Sequence, residues 1–254
     1  MFTNIRYILL TALRDWLFAA LMLGVVACTL IAHMLGSTAL IEPQEMTLSY
    51  ATASARVVIM TGLIVFTCFH IRNAFDTKEI DVFLSRPITR SSLVISYWLG
   101  FAAVALLLVI PTLILIALQG LLSNQGFFFW SLSLLVECWL VIAISLFASF
   151  TLKSAVTSVM ASMGFYVLAR MMGFFIATSK SAFLFDQQWL NVILTYALKI
   201  VSMIMPRLDF FAKSDWLIYG MKHSGDLSLF AVQAIIYIPF LILLAIADFR
   251  RKQF

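Results

Sequence analysis

The sequence predicts an all-α membrane protein: six transmembrane helices, an N-terminal amphipathic surface helix, a short cytoplasmic helix between spans 2 and 3, and short re-entrant helices between spans 5 and 6. Three observations predict it. Of 254 residues, 63% are hydrophobic and only 11% charged, with a mean hydropathy of +1.04. Soluble domains carry about 25% charged residues, so this much apolar surface has no water-soluble core to hide in. Six apolar runs reach or approach the ~20 residues that cross a ~30 Å hydrocarbon core. The charges that remain are gathered between those runs, most densely at Arg72–Arg90, where seven fall within nineteen residues.

The first fifteen residues precede the first run. Ile5, Ile8, Leu9 and Leu13 share one helical face, with Arg6 and Arg14 away from it, the pattern of a helix lying on a membrane surface. No cleavable leader is expected. The six spans are then 16–36, 55–71, 93–118, 127–150, 154–178 and 227–247. The third contains Pro111, a potential kink. Residues 179–226 are apolar in part, but Asn191 and Lys199 argue against a lipid-facing seventh span. The segment instead reads as two short helices dipping into the outer leaflet, with a turn at Met205-Pro206-Arg207. No repeat or linker divides the chain, and 1–254 is read as one transmembrane domain.

Lys and Arg set the orientation. With the N-terminus inside, ten of the 17 basic residues fall in cytoplasmic segments and six outside, namely Arg56 at the edge of the second span and five in the long segment 179–226. The remaining one, Arg170, lies within the fifth span. Both termini are therefore expected in the cytoplasm.

The formal charge of +5 is small, and no basic run is interleaved with aromatics, which excludes a nucleic-acid partner. Cys28, Cys68 and Cys138 lie in apolar runs without CxxC spacing and read as small membrane-buried residues. His33, His70 and His223 are dispersed, so no metal site is expected. There is no GxSxG, no HExxH and no GxxxxGK[ST]. The chain is expected not to be an enzyme, to bind no cofactor and to have no ATPase site of its own.

Two constellations stand out. Ionisable residues deep in a span mark a function or a partner. Glu137 and Arg170 lie at such depths in the fourth and fifth spans, 16 residues before and 17 after Lys153. If those spans form an antiparallel hairpin, the two side chains sit at one level and can form an ion pair. The bland reading is a structural pair holding register; the functional one is a substrate or proton pathway. The second constellation is Asp76-Thr77-Lys78-Glu79-Ile80-Asp81-Val82-Phe83-Leu84-Ser85-Arg86-Pro87. Ile80, Phe83 and Leu84 fall at helical spacing with charges opposite, and Pro87 stops the helix.

Together, the surface helix, the six spans and the loop reading D-x-K-E-I-D-V-F-L-S-R-P-I-T-R resemble the ABC-2-type permease family of ABC transporters. Family members carry an acidic residue followed by a leucine-serine-x-proline-x-x-arginine run in this loop, here Glu79 and Leu84–Arg90. The paired helices expected in 181–223 and the turn Met205–Phe210 are also similar to the family's. In size and layout the permeases of copper-enzyme maturation systems, such as those of nitrous oxide reductase, are most alike. The resemblance implies an exporter in the cell inner membrane, built from two permease chains and two separate ABC ATPase subunits that carry ATP and magnesium. The loop helix would enter a groove of the ATPase, with Ile80, Phe83 and Leu84 as apolar anchors and Asp76, Lys78, Glu79, Asp81 and Arg86 at the rim. Three other readings stay open: a membrane scaffold that holds partners without transport, an intramembrane enzyme acting on lipid or peptide through Glu137 and Arg170, and a proton-coupled carrier using Glu137.

Overall fold

The computed structural model describes residues 2–14, 16–38, 42–80, 89–118, 125–181, 192–193, 196–198, 200–201, 205–211, 213–220 and 225–251. These are predominantly helical, without strands among them. In chain order they form α1 (Phe2–Arg14), α2 (Trp16–Ser37), α3 (Pro43–Asp76), α4 (Arg90–Ala117), α5 (Gln125–Thr151) and α6 (Ala155–Ser181). A 3-10 turn (Leu208–Phe210), α7 (Asp215–Tyr219) and α8 (Gly225–Arg251) follow. Six of them, α2 to α6 and α8, are long and apolar enough to cross a membrane.

Five of the six expected spans agree with these helices to within four residues at either end. The second does not. Expected over 55–71, it runs 34 residues as α3, about 51 Å. Pro43 occupies the first turn, where its missing N–H costs nothing, and the polar stretch 44–54 continues the helix instead of forming a loop. Pro111 and Pro239 both lie inside their helices.

α3 and α5 form the centre of the bundle. In each, 61% of the most apolar window is buried, against 11% for α2. α5 touches α3, α4, α6, α7 and α8, and α2 lies along α3. Small hydroxyl residues let the central helices approach closely. Ser145 and Ser149 of α5 and Ser158 and Ser162 of α6 are all buried. The hydroxyls of Ser145, Ser149 and Ser158 bond carbonyls four residues back in the chain at 2.6–2.9 Å, so none is left unpaired. Cys68 of α3 joins them, its Sγ 3.9 Å from the Ser162 hydroxyl. All three cysteines are free, with Cys68 and Cys138 buried. Outward residues are large and apolar: Trp16 is 89% exposed, Leu23 72% and Met34 71%. Such a surface needs a hydrocarbon solvent, and this is a multi-pass membrane protein.

At the end of the bundle where α4 begins, an aromatic cluster ties four helices together. The Phe150 ring of α5 lies 5.0 Å from Phe249 of α8, 5.8 Å from Phe75 of α3 and 6.5 Å from Tyr97 of α4. Arg90 seals this end by donating to the carbonyls of Phe249 and Arg250, both at 3.2 Å. Helix carbonyls at a C-terminus otherwise lack partners, and a cation there also complements the helix dipole.

α1 packs across α4 and touches α2. Ile8 and Ala12 are buried, and a side chain at Gly100 of α4 would collide with the Ile8 tip at 2.5 Å. The expected apolar face is thus shifted. Leu13 is 49% exposed, because the contact runs through Ile8, Leu9 and Ala12 rather than through 13.

Candidate functional site: a buried ionic cluster and a docked turn

Three charged residues converge inside the bundle. Glu137 lies 12 residues after the start of α5, Arg170 lies 11 before the end of α6, and Arg56 lies 13 after the start of α3. These helix ends are on the same side of the bundle, so the three side chains share one level, roughly 16–20 Å in. Arg170 Nη1 is 3.4 Å from Glu137 Oε1, the geometry expected of a hairpin around Lys153. Arg56 Nε stands 3.9 Å from Glu137 Oε2, and the Tyr166 hydroxyl donates to Oε1 at 3.5 Å. Glu137 is fully buried and Arg56 is 6% exposed.

Arg56 was expected to be an external charge at the edge of a short span. The long α3 carries it into the core instead. The signal was present, since no helix breaker follows Pro43 before Arg56, but its hydroxyl and amide side chains dilute the hydropathy that defines a span.

Arg170 also reaches outside its own hairpin. Its Nη1 donates to the carbonyls of Leu208 and, at 2.8 Å, of Phe211. The 3-10 turn is therefore held by the same guanidinium that pairs with Glu137. Leu208, Phe211, Trp216 and Leu217 are buried beneath it. Arg207 braces the turn by pairing with Asp209 at 2.7 Å and lying over the Phe210 ring at 4.2 Å. The Arg207 backbone N–H donates to Gln233 of α8 at 3.0 Å, and the Thr52 and Ser214 hydroxyls meet at 3.2 Å. The turn sits so close to α6 that a Cβ on Gly173 would lie 2.4 Å from Asp209 Oδ2. Gly173→Val is accordingly expected to lift the turn and cost about 1–3 kcal/mol, measured as a lower unfolding temperature in detergent with faster proteolysis between 205 and 219. Of the segment expected to hold paired short helices, 181–223, residues 182–191, 194–195, 199, 202–204, 212 and 221–223 lie outside the described residues.

The loop site is partly described. Asp76 closes α3 and pairs with Arg72 at 2.8 Å. The helix then breaks at Thr77–Lys78, where Lys78 adopts the left-handed conformation with φ 57°, a conformation most L residues avoid. Helical structure resumes at Glu79–Ile80. The expected continuous helix from Asp76 is thus two pieces. Glu79 Oε1 accepts from the Tyr7 hydroxyl of α1 at 3.4 Å. Ile80 is 1% exposed and packs within this chain's own core, so it ties the start of the loop to the bundle. Asp81, Phe83, Leu84 and Arg86 lie outside the described residues.

Chemically, the ionic cluster can hold helices in register and grip a turn. It lacks a nucleophile placed against a base, and among the described residues no group of three His, Cys, Asp or Glu could hold a metal ion. No protein-family model matches the chain, and no curated relative was found for it.

Proposed function

We propose that this chain is the membrane-spanning permease subunit of an ATP-driven transporter of the ABC-2 type, working as an exporter. In this reading two permease chains pair in the inner membrane with both termini cytoplasmic, and two separate ATPase subunits dock on the 72–90 loop. The carrying observation is the mechanical continuity of that loop with the bundle. α3 leads without interruption from the ionic cluster at Arg56 to Asp76, and the next residues are tied down by Ile80 and by the Tyr7–Glu79 hydrogen bond. A loop fastened to a span in this way can pass a push from a soluble motor into the membrane. The segment 205–219 serves as the external counterpart, a re-entrant element whose position is read by Arg170. Phe83 and Leu84 remain as the apolar anchors for the ATPase, with Asp81 and Arg86 at the rim.

The test is co-purification of the tagged chain from its native membrane. A stoichiometric P-loop subunit with ATP hydrolysis is expected, and Phe83→Ala is expected to weaken its association by about tenfold or more. A clean homo-oligomer without ATPase activity, or an ATPase complex indifferent to Phe83, rejects the reading in favour of a scaffold.

A further inference from the structure

A cleft of about 800 Å³ opens between α1 and the last turns of α3. Its lining changes character along the bundle axis. Leu10, Val65, Phe66 and Phe69 form its apolar part, while Asn73 and Glu79 carry polar groups beyond them. Val65 lies 11 residues before the end of α3 and Asn73 only three, about 16 Å and 5 Å respectively. The apolar wall is therefore the deeper one. Phe69 is half exposed, so the cleft is open sideways. This is the polarity gradient met by a phospholipid, whose acyl chains run inward and whose headgroup stays at the boundary.

The cleft also carries opposite charges. Arg14, in the last turn of α1, lines one part of the cleft, with the Thr11 hydroxyl and the His70 ring. Glu79 lines another, its Oε1 held by the Tyr7 hydroxyl at 3.4 Å. The His70 ring is fixed by aromatic neighbours, 5.5 Å from both Phe66 and Phe101. A cation and an anion in one amphipathic cleft match a zwitterionic headgroup, with the phosphate at Arg14 and a primary ammonium at Glu79.

We infer that this cleft binds an aminophospholipid of the phosphatidylethanolamine type. The inference does not depend on the transporter reading, since it rests on the cleft alone. Discrimination lies at Glu79. A primary ammonium offers N–H donors to its carboxylate; the quaternary ammonium of phosphatidylcholine offers none; and phosphatidylglycerol brings only negative charge.

The full chain, purified in detergent and stripped of native lipid, is titrated with dioleoyl phosphatidylethanolamine, phosphatidylcholine or phosphatidylglycerol and read by native mass spectrometry. Phosphatidylethanolamine is expected to be retained about fivefold to tenfold more strongly than either other lipid. Glu79→Gln erases that preference, and Arg14→Gln lowers retention of all three. Tyr7→Phe, which keeps the carboxylate, preserves the preference. Arg6→Gln, a cation of α1 outside the cleft, leaves retention unchanged. Equal retention of the three lipids, a preference for phosphatidylglycerol, or unchanged selectivity in a folded Glu79→Gln protein overturns the site.

Discussion

Glu137→Gln is expected to lower the stability of the folded chain by about 3 kcal/mol, the range for removing one partner of a buried ion pair. The substitution is nearly isosteric, so the loss is electrostatic. It leaves the guanidinium groups of Arg56 and Arg170 facing each other across a neutral amide at distances that the carboxylate now bridges at 3.9 and 3.4 Å. Two features shape the rest of the cycle. Arg170→Gln alone leaves Glu137 with Arg56 but releases the carbonyls of Leu208 and Phe211. In the Glu137→Gln background the same change relieves a repulsion, so its cost there is smaller. The cycle is expected to show a coupling of about 1–3 kcal/mol, measured by reversible unfolding in mixed micelles; losses adding within about 0.5 kcal/mol would remove the pair as an energetic unit. Protease sensitivity of 205–219 separates the two roles of Arg170. It rises with Arg170→Gln and stays low with Glu137→Gln if the turn is held by its carbonyls.

The second large effect is expected at Phe150. Phe150→Ala removes a fully buried ring from contact with Phe75, Tyr97 and Phe249. Core phenylalanine truncations cost about 3–5 kcal/mol, and four helices share this one. Thermal unfolding in detergent checks the stability loss. Phe150→Leu, which refills most of the volume, should recover more than half of it; a recovery no better than alanine would mean that ring geometry rather than volume sets the cost. The cluster also stands where the 77–89 loop leaves and re-enters the bundle. Under the proposed function, Phe150→Ala additionally loosens the coupling of ATP hydrolysis to transport at temperatures where the protein is still folded.

Much of this architecture was legible in the residues. The spans of α2, α4, α5, α6 and α8 are long, predominantly apolar runs, and only one reading satisfies the hydrogen-bonding demand of a chain in hydrocarbon. Glu137 and Arg170 could be set opposite each other because the hairpin between their helices is short, so counting from Lys153 fixes the register. Arg56 could not be placed with them. Its approach depends on where α3 begins, and the residues from Gln44 to Ser54 have helix-compatible backbones with loop-like side chains. Ile80 shows another kind of limit. Periodicity reveals that a helix has an apolar face, but not whether the chain's own core or a partner covers it. The break at Lys78, the capture of the turn by Arg170 and the cleft beside α1 all arise from tertiary packing, which local pattern does not encode.

The length of α3 has one more consequence. A single helix carries a buried stripe through Arg56, Met60, Leu63, Thr67, Ile71 and Ala74, so residues some five turns apart face the same way. No proline follows Pro43 in it, and Gly62, its one internal glycine, is pressed against Leu21. Such a helix has no joint at which a bend could be absorbed. A rotation imposed at Asp76 is carried toward Arg56, some 30 Å away, along one continuous helix. α3 is in effect an axle, borne at both faces of the bundle.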